Sequence, residues 1–443
     1  MTSNRRQFLQ KLALGMIPLS AQGMAMNSQI KKATYKSTLY RSVSGTPKTN
    51  LEKVVELYGG IERIVGKYDI VLLKPNLQWW NHGATNLESF QTFVDLIFAR
   101  SGGFEGEVVL TENVHRGSDP FNSQSAWHED FEWNAAPQAR NMTELVAQLR
   151  TKYGLRFSWV PWIDVKSGAK QVAEPDEGEG YVYCDGQNGN PRLALKNQHP
   201  EQPRTTIMTY PIFKTGKGTL VDFKNGVWDG KQYTDQPVRF INFPALNYHG
   251  RYCGMTSAIK NYFGVVDLGG GPHPDVDGKL TDAYYNFHAF AFDGNAPGPV
   301  RGMFGKAVGL FMNSIRKADL NITTAEWVGL ASRTIPPVAR TQAVLMSDDP
   351  VALDYHAAKY VLYPNSKIYL HNPDDINGPL HIYLKACGDT MGGALNEEDV
   401  RIVSYDFQKK AMQESDFVVS GDLNWGKDVK HWMKYFALRM RLI

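Results

Sequence analysis

"YDIVLLKPN" (68–76), "NLESFQTFVDLIFARSGG" (86–103) and "GEVVLTEN" (106–113) follow one another with little between them. The first is a short apolar run stopped by Pro75, and the third is another buried run. The middle stretch is amphipathic and closes on glycines. A helix of this length between two apolar strands implies a right-handed crossover and parallel pairing. The expected fold class is therefore α/β, with a mainly parallel sheet, flanking helices and Rossmann-like layering.

The same rhythm extends on both sides. "NLEKVVELYGGIERIVG" (50–66) has helical spacing with Asn50 as its cap, and "MTELVAQLRTKYG" (142–154) is a helix before the strand "RFSWVPW" (156–162). Residues 164–236 break the pattern, being rich in Gly, Pro, Asp and Lys with short aromatic pieces such as "GYVYCDGQNGNPRL" (180–193). They read as an irregular, partly antiparallel insertion. The α/β pattern resumes at "VRFINFPALN" (238–247) and reappears at "TQAVLMSDDPVALDYHAAKYVLY" (341–363). The expected organisation is a leader over 1–25, an α/β part over 26–163, the insertion over 164–236, a second α/β part over 237–430 and a basic amphipathic helix over 431–443, which packing on the domain accounts for.

The leader rests on "MTSNRRQFLQKLALGMIPLSAQGMAMN" (1–27). Paired Arg5 and Arg6, then Phe8 and Leu9, precede a modestly apolar run and the small-x-small stretch Gly23-Met24-Ala25. This order resembles a twin-arginine export signal, so the twin-arginine export machinery is an expected partner and the periplasm the expected location. The 443 residues carry a formal charge of +3, and removing 1–25 takes away Arg5, Arg6 and Lys11 with no acid, leaving about zero. No basic face then remains to track phosphates, so nucleic acid is not expected as a partner. With no other apolar run long enough to span a bilayer, the mature chain is expected to be soluble, without a transmembrane segment. Cys184, Cys253 and Cys387 lie far apart and form no iron–sulfur motif.

In a parallel sheet, ligands bind beyond the strand C-terminal ends. Lys74 and Asn76 follow "DIVLL", Glu112 and Asn113 follow "EVVLT", Asn247 and His249 follow "VRFINFPAL", and Asp348 and Asp349 follow "AVLMS". Four strands should thus deliver cationic, amide, imidazole and carboxylate groups to one rim. "NYHGRYCGMTSAIKNYFG" (247–264) adds a helix expected to start near Gly254 or Met255, with Thr256 and Lys260 on one face and Ser257 and Asn261 on the adjacent row. Two hydroxyls, an ammonium and first-turn amides would then hold an anion without a metal, and Gly254 would let it approach the backbone. Helix capping by Thr256 and Ser257 beside a solvated Lys260 accounts for the same residues.

Other chemistries are weaker. Ser257-Ala258-Ile259-Lys260 fits the S-x-x-K nucleophile motif of acyl enzymes, but "KTG" at 214–216 precedes it rather than follows. "GGGPHPDVDGKLTDAYYNFH" (269–288) offers His273, Asp275 and Asp277 to a divalent metal, and a solvated loop explains that stretch as well. Asp349 before Pro350 has the form of a helix cap, with catalysis an additional claim, while Asp354 and His356 lie on faces that the core stripe of that helix does not need. Trp79, Trp80, Trp127, Trp133 and Trp162 would stack on a sugar ring where exposed, with core packing the default.

"VLLKPNL", "INFPALNYHGRYCGMTSAIKNYFGVV" and "VLMSDDPVALDYHAAKYVL", in that order, resemble the bacterial and archaeal family catalogued as domain of unknown function 362. The resemblance runs from about Tyr68 to Gly393 and links Lys74, Asn76, His249, Lys260, Asn261 and Asp349 as a set without assigning them roles. The ferredoxin-like cysteines that family members often carry are missing here, so electron transfer has no support. The family's glycine-rich stretch is reduced to "NITTAEWVGLASRTIPP" (321–337), which argues against a ligand contact from that loop.

The reading that follows is an enzyme acting on a small anionic or polyhydroxylated molecule. Lys74, Lys260 and the helix amides would stabilise negative charge, and His249, Glu112 or Asp349 would move a proton, with Asn76, Asn113, Thr256, Ser257 and Asn261 holding substrate. The alternative is a non-catalytic periplasmic ligand- or metal-binding protein. The cofactor stays open, a divalent metal included.

Overall fold

Apolar residues in the parallel strands alternate between two cores, and that alternation sets the layers. The computed structural model describes residues 35–113, 125–197, 203–269, 283–287, 301–413 and 417–443. The strands that matter here are β1 (Ser37–Val43), β2 (Ile70–Pro75), β3 (Glu107–Asn113), β4 (Phe157–Trp162), β5 (Val238–Phe243), β6 (Asn247–Tyr248), β7 (Met255–Thr256), β8 (Leu320–Gly329), β9 (Val338–Ser347), β10 (Val400–Asp406), β11 (Ala411–Gln413) and β12 (Asp422–Asn424). The helices are α1 (Pro47–Tyr58), α2 (Leu87–Phe98), α3 (Met142–Tyr153), α4 (Ala258–Asn261), α5 (Met303–Ser314), α6 (Pro350–Ala357), α7 (Pro379–Met391) and α8 (Val429–Arg439).

Ten strands form one sheet in the order β11-β10-β1-β9-β8-β5-β2-β3-β4, with β12 beside β9. The run β8-β5-β2-β3-β4 is parallel throughout. Val71 and Leu73 of β2 join Ile241 and Phe243 of β5 in a core with α1, α2 and α3. Ile70 and Leu72 join Phe240 in the core on the opposite face, with α5, α6 and α7. Two covered faces explain why β2 and β3 read as continuous apolar runs. The mixed α/β class and the mainly parallel sheet expected from residues 68–113 are thus what the chain forms.

Five strands within the insertion, Gln171–Val172, Gly180–Tyr183, Thr209–Lys214, Leu220–Asp222 and Gly226–Trp228, form a separate sheet, antiparallel except for its Gln171–Val172 edge. Tyr181, Ile212, Phe213 and Val221 bury it in the second core. Trp162 lies there too, ring to ring with Phe213 and Phe223, while Trp127 and Trp133 are also buried. None of these three indoles is open to a sugar.

Two local expectations are corrected. Helix α1 starts earlier than residue 50: Thr46 caps it through the Thr49 amide, and Asn50 instead accepts from Ser42 Oγ and the Gly45 amide inside the fold. Strand β9 runs antiparallel to β8, with Ser347 opposite Asn321 near the start of β8. The chain after Ser347 therefore heads away from the rim where β2, β3 and β5 end. Asp348 and Asp349 go with it.

Candidate functional site

Lys74, Asn242 and Asn321 stand in register on β2, β5 and β8, each between two apolar neighbours in its strand. All three are buried, and an unpaired buried charge or amide is costly. They satisfy one another in a chain. Lys74 Nζ donates to Glu112 Oε2 at 2.9 Å and to Asn261 Oδ1 at 3.0 Å. Asn261 Nδ2 donates to Asn242 Oδ1 at 2.8 Å, Asn242 Nδ2 to Asn321 Oδ1 at 2.9 Å, and Asn321 Nδ2 to the Ser347 carbonyl at 3.2 Å. Burial pushes the Glu112 carboxyl up to about 7 against the pull of Lys74, and burial lowers the pKa of Lys74 against the pull of Glu112. Gly264 leaves room for the pair: a methyl group there would sit 1.9 Å from Glu112 Oε1 and 2.7 Å from Lys74 Nζ.

Helix α4 begins later than the spacing of Thr256 and Lys260 suggests. Met255 and Thr256 belong to β7, paired with Asn247 and Tyr248 of β6. Only Ala258–Asn261 is α-helical, and its first amides are already occupied. Asp354 of α6 accepts from the Ala258 amide at 2.8 Å and the Ile259 amide at 3.0 Å. The anion at this helix N-terminus is the protein's own carboxylate, held by burial at a pKa of about 7. Gly254 serves packing instead of a ligand. Its φ of +74° favours glycine, and a methyl group would lie 2.2 Å from the Leu370 carbonyl oxygen.

Beyond the ends of β2 and β5 lies a polar cleft of about 50 Å3, lined by Lys74, Asn76, Glu112, His249, Thr256, Lys260 and Asn261. Seven of the ten residues given binding or proton-transfer roles from sequence thus meet there. Asn247, Trp79, Phe263 and Arg333 also line it. Lys260 Nζ sits 3.6 Å from the Phe263 ring centroid and 5.5 Å from that of Phe304. Arg333 lies over Trp79 at 4.7 Å. Neither cation makes an ion pair among the described residues. Desolvation lowers the pKa of Lys260 to about 7, with the positive fields of Arg333 and Lys74 adding to it, and desolvation also lowers that of Arg333. Asn247 is fully buried, and both its carboxamide oxygen and nitrogen lack a hydrogen-bond partner. The Trp79 indole N–H is likewise without an acceptor. Two cations and an unsatisfied amide in a confined space form a setting that an anion with further hydrogen-bonding groups would complete.

The remaining expected residues lie elsewhere. Asp349 caps α6 through the Val351 and Ala352 amides and holds the Ala394 amide at 2.7 Å, because the reversed β9 carries it away from the cleft. Ser257 Oγ is 3.0 Å from Thr323 Oγ1 and also serves Asp354, so the Ser-Lys nucleophile pair is not formed. Asn113 Nδ2 is engaged by Asp164, Tyr181 and the Val266 carbonyl, fixing the segment below the cleft. Asp354 and His356 are both buried, since α6 is enclosed on every side. His273, Asp275 and Asp277 lie outside the described residues, as does the leader. Among the described residues no three His, Cys, Asp or Glu side chains gather as a metal site.

Sequence reading missed four contributors. Arg333 comes from the very loop from which no ligand contact was expected. Asn242 and Asn321 were visible as polar residues between apolar neighbours, a pattern that signals a buried partner, and Asp354 was noted only as lying off the core stripe of its helix. Asn247 was placed at the rim without a role.

The comparison with curated proteins returned no match, and neither did that with solved structures. The family model described as Domain of unknown function (DUF362) matches residues 238–359. That stretch holds β5, the β6–β7 hairpin, α4, β8, Arg333, β9 and α6 with Asp354, whereas Lys74 and Glu112 precede it. Over residues 238–359 the chain is thus similar to the DUF362 family, in the stretch that supplies most of the cleft.

Proposed function

We propose that the cleft binds a small anionic, hydroxylated molecule and moves a proton on it. The observation that carries this reading is the pairing of Lys260 and Arg333, without a carboxylate partner among the described residues, with the unsatisfied Asn247 carboxamide. The anionic group of the ligand would lie between the two cations, and Asn247, Asn76 and Thr256 would bond its neighbouring oxygens. An ammonium with a pKa of about 7 exists in both protonation states at neutral pH, which suits proton transfer, and His249 is the second candidate for it. The Lys74–Glu112 pair would set the field beneath. Export by the twin-arginine route belongs to the same proposal.

Binding without turnover is the second reading. It is favoured by the mutual saturation of Lys74, Glu112 and Asn261, which takes the Lys74 ammonium and Glu112 carboxyl out of direct reach of a substrate proton. Titration of the full chain with inorganic phosphate and simple carboxylates, with Lys260→Met as control, tests the shared core of both readings. Release of a product from a bound acid separates them.

A further inference from the structure

The C-terminal helix presents an apolar stripe to solvent. At about 100° per residue, Val429, Met433, Phe436 and Met440, just past the helix end, fall within an arc of about 60°. Their exposures are 57%, 67%, 41% and 60%. The opposite side is fixed to the body by Tyr435 and Leu438, both buried in the larger core. Trp425 stacks on Phe436 at an interplanar angle of 15°, so the stripe is held in place.

Cations flank this stripe. Between residues 427 and 441 stand Lys427, Lys430, Lys434, Arg439 and Arg441 against Asp428 as the sole Asp or Glu. A second copy seated on the stripe would bring two such basic helices together. A negatively charged surface would match them, and an apolar stripe edged by Lys and Arg with nearby Trp is the layout of a helix that lies in a lipid interface.

We infer that α8 seats the protein on an anionic lipid surface, with the Val429–Met440 stripe entering the headgroup layer and the flanking cations meeting lipid phosphates. No crossing is involved, since no helix among the described residues is long and apolar enough to span a membrane. The helix also lies beside the cleft: Lys434 Nζ is 5.4 Å from the ring of Tyr248, the residue after Asn247. A docked molecule would therefore hold its cleft near the lipid surface.

The test is sedimentation of the full chain with vesicles of phosphatidylglycerol and phosphatidylcholine, and with vesicles of phosphatidylcholine alone. Binding is expected to the first and not the second, with release when salt rises from about 0.1 M to about 0.5 M. The double variant Met433→Ser/Phe436→Ser, at exposed positions and checked for an unchanged melting temperature, should lose at least about tenfold in partition. Lys430→Glu should weaken binding to the anionic vesicles. Lys260→Met should bind vesicles like the parent, so failure of the cleft reading is distinguishable from failure of this one. No binding to anionic vesicles would overturn the inference, as would binding unchanged in the double variant. A dimer that the double variant dissolves, without vesicle binding, would overturn it in favour of a second copy.

Discussion

Asp354 accepts the backbone amide of Ala258 at 2.8 Å, and so a carboxylate from α6 closes the start of the helix that carries Lys260. Asp354→Ala would leave the Ala258 and Ile259 amides buried without an acceptor. The expected loss is roughly 2–5 kcal/mol, from two unsatisfied amides. Urea unfolding measures it, and anion binding by the folded fraction should weaken as α4 shifts.

The same carboxyl predicts a pH dependence. Burial raises its pKa from the ordinary carboxylate range to about 7 in the folded protein. A raised acid stabilises the fold fully below its unfolded pKa and loses that contribution as pH rises through the folded value. Between about pH 4 and pH 7 this group should therefore cost the parent up to roughly 2–4 kcal/mol. Asp354→Asn should lack that component. Unfolding at the two ends of this window, for both proteins, checks the sign.

Gly264 tests how tightly the Lys74–Glu112 pair is enclosed. Gly264→Ala would place a methyl group on Glu112 Oε1 and separate the pair, with an expected cost of about 1–3 kcal/mol. Lys74→Met should cost more, about 3–5 kcal/mol, because it leaves Glu112 buried without its partner. Thermal unfolding ranks the two. A Lys74→Met variant as stable as the parent would mean that Glu112 takes up a proton without penalty.

Asn247 separates function from stability. Its unsatisfied amide costs free energy while the cleft is empty, so Asn247→Leu should leave the ligand-free protein as stable or about 1 kcal/mol more stable. The same variant should bind anions more weakly. Loss of stability with unchanged binding would show that Asn247 is an ordinary core residue.

The layers of the fold were legible in the sequence, since the apolar runs Ile70–Leu73 and Val108–Leu110 and the helices between them impose parallel pairing. The direction of β9 was not. Its apolar run Ala343–Met346 reads like a parallel strand, and only the pairing with β8 reveals the reversal that removes Asp349 from the rim. Lys74, Glu112, His249 and Lys260 could be placed because each follows or faces the end of a strand or hairpin. Arg333 could not, because a loop residue is positioned by tertiary contact with Trp79 rather than by any period. The start of α4 escaped for a similar reason: its cap is Asp354, nearly a hundred residues away in the chain.

The most direct test is calorimetric titration of the full chain with inorganic sulfate, whose charge is constant from pH 6 to 9, across that range, repeated with Lys260→Met. An anion stabilises the protonated Lys260, so affinity should be level below its free pKa of about 7 and fall above it, approaching tenfold per pH unit. Lys260→Met should bind roughly 10–100-fold more weakly, with that pH dependence gone. Sulfate binding that is equal in parent and variant, or that strengthens as pH rises, would contradict the account.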